Sequence, residues 1–364
     1  MKNYFLTLLL SVFILNNLHA QEDVEEVIVT SSLTSSALAD IEDPIHLVEG
    51  DDIDSSATQS LGETLDDLLG VSSQDYGAAV GRPVIRGMMG TRVKILNNGF
   101  VVQDVSGMGG DHTNEIDFND IKQVEIVRGP SSLFYASGTV GGIINIVDDL
   151  IAKEDFNTQE INLGLETQSV SEGDSQNFSY KNNIAGFNVS VGFKDSSFGN
   201  YEIPNGAVIH MEEEHHDEDH DDEEHEEEET GFLANSDAAK TAQKVGISKT
   251  GDWGYFGIGF RDQESVFGLP YHVEPPGAHG DEHGDEHGDE DDHDEHGEER
   301  IFSSTNSEAF DIQGAYMVKG EVLKKIMFNF RDTDYIHTEQ HMEMEEDHDE
   351  HEGEEEHDEH GGPT

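Results

Sequence analysis

Two groups of side chains in this chain could do chemistry, and both are metal donors. Asp111 and His112 stand side by side in Gly107-Met-Gly-Gly-Asp-His-Thr-Asn114, a stretch too rich in glycine to hold a strand. A carboxylate and an imidazole on such a tip offer oxygen and nitrogen to a divalent ion. A solvated loop histidine is the plain alternative, and for a histidine taken at random it is the better one. The nearby Glu115 and Asp117 are chemically able to join the pair.

The second group is repeated. Three long segments interleave histidine with runs of Asp and Glu. The first carries His210, His215, His216, His220 and His225. The second carries His279, His283, His287, His293 and His296 and opens on a His-Gly-Asp-Glu unit of period four. The third carries His337, His341, His348, His351, His357 and His360. Together they hold 16 of the 20 histidines, so the imidazoles are concentrated rather than scattered. Acidic runs are ordinarily solvated, self-repelling segments. That reading accounts for the Asp and Glu but not for histidine inserted three separate times. Imidazole with carboxylate suits Zn²⁺, and also Ni²⁺ or Cu²⁺; carboxylate alone suits Ca²⁺ or Mg²⁺. Met342 and Met344 add a thin copper(I) feature. Segments so poor in apolar residues cannot bury a core.

The bulk numbers agree. The 364 residues, room for two or three domains, include 80 acidic and 19 basic side chains, a formal net charge of −61. Nucleic acid is excluded as a partner, because phosphate neutralisation needs Lys and Arg. There is no cysteine, hence no disulfide framework and no thiolate metal site. Any metal must be held by histidine nitrogen and carboxylate oxygen.

The elements that must position these donors can be read in order. Met1–Ala20 has a lysine head, an apolar run and a small-residue exit, the pattern of a secretory signal peptide cleaved after Ala20. No later run reaches the roughly 20 apolar residues of a spanning helix, so a membrane role would require a barrel. Asp43 to Gly50 predicts a turn into a short strand. Leu61, Leu65, Leu68 and Leu69 predict a helix with a core-facing stripe, closed by Gly70. Three short β-type runs follow at Val93–Leu96, Val124–Val127 and Ile143–Val147, separated by glycine-rich turns.

After Asp148 the pattern becomes alternation of period two. Seven strands are expected: Glu160–Glu166, Phe178–Ile184, Gly186–Lys194, Val245–Ser248, the run around Phe256–Phe260, Phe310–Val318 and Ile326–Phe330. One apolar and one polar face is the pattern of an outer-membrane barrel wall; a soluble β-sandwich gives similar alternation, and the leader together with the segment before Asp148 decides against it. Links at Ala185-Gly186, Thr250–Asp252 and Lys319–Glu321 are short, and those after Lys194, Arg261 and Thr333 are long. All three long links fall on one parity, which predicts that they share the extracellular side.

The wording of the middle segment goes further. Val84-Ile-Arg-Gly87, then Val124-Glu-Ile-Val-Arg-Gly-Pro-Ser-Ser-Leu-Phe-Tyr135, then Gly141-Gly-Ile-Ile-Asn-Ile-Val147 closely resemble the plug domain of TonB-dependent outer-membrane receptors. The resemblance implies an α+β plug domain followed by an all-β antiparallel transmembrane barrel, here incomplete, with about seven of an expected 22 strands. The implied order is a signal peptide at 1–20, a periplasmic tail at 21–40, the plug at 41–150 and the N-terminal part of the barrel at 151–364. The His/acid-rich loops would lie near 199–240, 263–305 and 335–364. Glu25, Glu26, Val27, Ile28, Val29 and Thr30 look like the family's TonB box, an extended β-prone hexad suited to adding a strand to a partner's sheet.

Asp-His at this plug loop is similar to the zinc-uptake receptors of the family, in which the pair helps ligate zinc; this carries over to Asp111 and His112. The resemblance therefore implies a non-enzymatic zinc importer with no catalytic cofactor, for which nickel or copper are alternative ions. Its partners would be a TonB-type energy-transducing protein, outer-membrane lipid and the metal ions themselves. Two other readings stand beside it: a receptor for haem, a siderophore or nickel, and a surface metal-binding protein that does not transport.

Overall fold

Alternation and glycine punctuation divide the chain into a small mixed sheet and a large antiparallel one. The computed structural model describes residues 45–50, 52–53, 59–129, 132–133, 135–204, 207, 231–270 and 300–342. The first unit contains β1 Ile45–Glu49, α1 Leu61–Leu65, β2 Val71–Asp75, β3 Gly81–Ile85, β4 Val93–Asn97, β5 Phe100–Val101, β6 Ile121–Val127 and β7 Gly142–Asp148. Five of these strands form one sheet in the order β1-β6-β7-β4-β5, in which only β4 and β7 run parallel. β2 and β3 make a separate antiparallel pair. β7 is the central strand, buried along its whole length, which is why it reads as a nearly unbroken apolar run. Its Ile144 and Ile146 pack with Leu61, Leu65, Ile85 and Ile126 as the core.

The helix is shorter than its leucine spacing predicts. Ser60 caps it, its Oγ accepting from Glu63 N at 3.3 Å. It ends at Leu65, and Gly70, at φ 77°, turns the chain into β2. Leu68 therefore only borders the core, and Leu69, expected in the stripe, is 85% exposed.

The second unit is a meander. Its strands are β8 Glu160–Gln168, β9 Gly173–Ile184, β10 Phe187–Phe198, β13 Ala238–Gly251, β14 Gly254–Gly268, β15 Arg300–Met317 and β16 Lys325–Met342. A short pair, β11 Tyr201–Glu202 and β12 Phe232–Leu233, lies between β10 and β13. The seven strands are hydrogen-bonded in chain order, every pair antiparallel. β9 and β10 are joined by Ala185 and Gly186, both at positive φ (54° and 82°), a two-residue hairpin connection. Connections after β10 and β14 leave from the opposite end and are long.

The seven expected strands are all present, but they run further than the alternation indicates. β15 and β16 have 18 residues each, roughly 60 Å at about 3.3 Å per residue. That is twice the ~30 Å of hydrocarbon a wall must cross. Beyond the lipid an outward-facing residue meets water, so the apolar signal fades while the hydrogen-bonded ladder continues. His337 and His341, expected in a loop, consequently belong to β16.

The faces of this sheet are inverted relative to a water-soluble protein. Ile161, Leu165, Ile247, Phe256, Ile258 and Phe330 are exposed on the outside. Lys181, Ser190, Lys244, Gln263, Asp311 and Gln313 are buried on the inside, against the first unit. An apolar exterior around a polar interior is the arrangement of a transmembrane barrel wall. The first unit seats closely on it: a Cβ at Gly246 would lie 1.8 Å from the Leu150 carbonyl oxygen. Among the described residues no helix is long and apolar enough to cross a membrane.

Candidate metal centre

The loop between β5 and β6 is held in shape by buried polar side chains. Arg82, on β3, donates through Nη1 to the carbonyl oxygens of Ser106, at 2.7 Å, and Gly109, and through Nη2 to Gln74 Oε1 at 2.6 Å. Asp104 ties the base of the loop, accepting from Ser106 N (3.1 Å), Ser106 Oγ (2.6 Å) and Glu115 N (3.3 Å). Burial raises the Asp104 carboxyl above its usual range despite those hydrogen bonds. The tip leaves no room at Gly109, where a Cβ would lie 2.2 Å from Asp111 Oδ1 and 3.2 Å from the His112 ring.

This loop delivers His112 to the inner face of β16. His112 Nδ1 lies 3.6 Å from Glu339 Oε1, and His337 Nε2 lies 3.5 Å from the same oxygen. The two imidazoles meet edge to face with centroids 5.2 Å apart. One donor atom from each of His112, His337 and Glu339 fits within 4.8 Å of the others. Tetrahedral zinc with bonds of ~2.0–2.2 Å needs donors on the order of 3.4 Å apart, close to the two distances at Glu339 Oε1, while the widest pair would have to draw in from as much as 4.8 Å. His112 Nδ1 is buried and has no hydrogen-bond partner, an uncommon state for such a nitrogen. Asp111 faces the other ring nitrogen, its Oδ1 3.9 Å from His112 Nε2.

His337 is in turn fixed from β15. Thr305 Oγ1 lies 2.9 Å from its Nδ1, and Ser303 Oγ lies 3.1 Å from Nε2 and 3.4 Å from Nδ1. Both hydroxyl residues are buried. Tyr335, one inward position earlier on β16, lies parallel to the His337 ring.

Of the residues singled out by sequence, the fold thus brings His112 and His337 together, with Asp111 alongside. Glu339 was missed. Its signal was the spacing His337-Thr338-Glu339, which on a strand puts both donors on one face. His341 lies in β16 opposite Ile301. The other tract histidines, the hexad Glu25–Thr30 and the leader at 1–20 lie outside the described residues.

Glu115 and Asp117 do something different: they dock the first unit to the wall. Glu115 Oε2 accepts from Gln263 Nε2 at 2.5 Å, and its Oε1 from Ser265 Oγ at 3.1 Å. Asp117 pairs with Lys244 at 3.1 Å and Asp120 with Lys181 at 2.9 Å. Burial works to raise the Asp117 carboxyl, but the Lys244 charge and the Asn119 amide outweigh it and hold the group below its usual range. Lower down, Arg261 grips Asp148 and also reaches Asp311, which Arg331 holds at 2.5 Å. Arg331 Nη2 returns to the first unit through Asn97 Oδ1 at 2.9 Å. Lys181, Lys244 and Arg261 of the wall are thus paired with carboxylates next to or in the first unit, while Asp311 is held by Arg261 and Arg331 within the wall itself.

Comparison with known proteins fits this layout. Residues 37–143 match the family described as TonB-dependent Receptor Plug Domain. The vitamin B12 transporter BtuB of Photobacterium profundum is 28% identical over 131 residues, 35% of this chain and 21% of that protein. The FrpB iron transporter of Neisseria meningitidis superimposes with a TM-score of 0.57 at 13% identity, over 80% of this chain and 41% of that one. The copper transporter OprC gives 0.53 at 14% identity, over 82% and 37%. The structural likenesses are of fold alone, and the matches span only 21–26% of the curated relatives' length. Residues 37–143 therefore carry a TonB-dependent receptor plug domain, a mixed sheet docked by buried charges on the polar face of an antiparallel wall.

Proposed function

We propose that this receptor imports a transition-metal ion, taken up at a site that His112 contributes from the plug and His337 and Glu339 from the wall. The carrying observation is the convergence of two imidazoles and one carboxylate, one of the nitrogens buried and unpartnered. Two nitrogens and an oxygen, with no thiolate, suit Zn²⁺ and also Cu²⁺ or Ni²⁺. Asp111, its Oδ1 3.9 Å from His112 Nε2 and outside hydrogen-bond distance, stands beside the site as a further carboxylate donor. The histidine and acid tracts collect ions outside by electrostatic attraction and fast, weak binding. A TonB-type protein acts on Glu25–Thr30 by strand addition. No covalent chemistry is involved.

Within this reading zinc rests on donor chemistry and on the resemblance at Asp111-His112. A second reading has independent support: the matched relatives are named as vitamin B12, copper and iron transporters, which favours a different metal-bearing cargo over zinc. Uptake assays in cells expressing the receptor decide. His112→Ala and His337→Ala should each abolish high-affinity accumulation of the imported ion, and deleting Glu25–Thr30 should do the same. Zinc accumulation indifferent to all three changes, with copper or an iron chelate dependent on them, would establish the second reading. Surface binding unaffected by the deletion, with no uptake of any metal, would reduce the chain to a surface binder.

A further inference from the structure

The two imidazoles of the metal centre are held in place differently. His337 stands on a strand and is met by the Thr305 hydroxyl at 2.9 Å. Among the described residues nothing hydrogen-bonds the His112 ring, and its Nδ1 is buried without a partner. Its place is set by the loop backbone, which includes Gly107, Gly109 and Gly110 and has little stiffness of its own. Between Gly107 and His112, Arg82 is the only described residue whose side chain hydrogen-bonds the loop, at the Gly109 carbonyl. Arg82 is 7% exposed, and its Nη2 is tied to Gln74, its register partner on β2. A Cβ at Gly110 would lie 3.6 Å from that Nη2, so the tip rests directly on the guanidinium.

The strand that carries Arg82 is braced in turn. Val80, just before β3, is buried and packs with Phe267, Leu269 and Ile301 of the wall. Ile301 stands two residues before Ser303, which faces Glu339 across the ladder. The β2–β3 pair thus touches the wall beside the metal centre and the loop above it.

We propose that Arg82 is the positioning residue of the plug's metal ligand, an inference that rests on the metal site described above. Gripping Ser106 and Gly109 from a strand braced on the wall, it holds His112 against Glu339. Without that grip the glycine loop must be ordered at each binding event, which weakens binding.

The test joins calorimetric titration of the full-length receptor in detergent, with zinc chloride alone, to nitroxide labelling. Tight zinc binding should vanish in His337→Ala. This chain has no cysteine, so a label at Met108→Cys on the loop tip, or at Leu69→Cys at the other end of β2, reports one place; both side chains are exposed. Arg82→Lys keeps the charge but loses the planar fork. It should weaken tight binding about tenfold and mobilise the Met108 label, with the Leu69 label as in wild type. Either change without the other overturns the proposal, as does neither. Both labels mobilised would make Arg82 a support of the plug at large, which also overturns it. If wild type shows no tight binding, or His337→Ala retains it, the metal site itself is wrong and the proposal falls with it.

Discussion

Arg261 on β14 holds Asp148, at the end of β7, through two hydrogen bonds of 2.8 and 3.1 Å. A wall cation and a plug carboxylate thus meet inside the lumen. The same carboxylate also accepts from Asn98 Nδ2 at 2.8 Å and from Leu150 N at 3.0 Å, so it binds the plug's exit segment as well.

Removing one half of this pair leaves the other charge buried and under-compensated. Asp148→Asn should destabilise the seated plug by on the order of 3 kcal/mol. The double change Asp148→Leu with Arg261→Met should cost less than either single change. Thermal melts in detergent, with trypsin sensitivity of the plug as a second readout, check this; additive losses in the double variant would show that the two groups act independently.

Acid should act on the plug in two opposite ways. Burial works to raise Asp148, but the charges of Arg261 and Lys244 and hydrogen bonds from Arg261 and Asn98 hold it well below the usual carboxylate range. Its contribution to stability is present above the unfolded carboxyl value of about 4 and is lost as pH falls toward the lower folded value. Asp117 shares that sign. Asp104 is raised, so its folded form holds a proton that the unfolded chain has already lost, and its contribution weakens as pH rises from about 4 through its folded value. The Asp104 contribution should therefore raise the melting temperature slightly as pH falls toward about 4, below which the loss at Asp148 and Asp117 lowers it. Asp104→Asn should flatten the climb and leave the drop; a climb unaffected by this change would assign it to another group.

Two glutamates near the apex should respond differently to the same substitution. Glu115 already accepts from Gln263 and Ser265, whereas Glu339 Oε1 faces two imidazoles. Glu339→Gln should weaken zinc binding at least about tenfold, since an amide oxygen is a poorer ligand than a carboxylate. Glu115→Gln should leave zinc affinity within about twofold and lower the melting temperature instead. Calorimetry and melting on the same two proteins check both, and an equal loss of affinity in the two would mean that Glu115 is a ligand.

The seven wall strands were legible because lipid on one side and a polar plug on the other impose strict alternation, as in Phe256, Ile258 and Phe260. The loop carrying Asp111 and His112 was legible from its glycines, which rule out a strand. The partners of His112 were not. Past Phe330 the outward positions Asp332, Asp334 and Thr338 are polar and only Ile336 is apolar, too thin an alternation to mark the continuing ladder that brings His337 and Glu339 over the plug. The roles of Glu115 and Asp117 were hidden for a different reason. A carboxylate that docks against lysine or glutamine looks the same in sequence as one that awaits a metal, and only register across the lumen separates them.

The 3.6 Å between His112 Nδ1 and Glu339 Oε1 holds only while the apex loop rests against β16, whereas the 3.5 Å between His337 and Glu339 lies within that strand. A slide of the stopper by one strand repeat, about 3.3 Å, would widen that gap and carry the His112 nitrogen away from the pair on the strand. Of the three donors, the strand keeps two and the stopper carries the third, so the seam between them is whole only when the two units are in register.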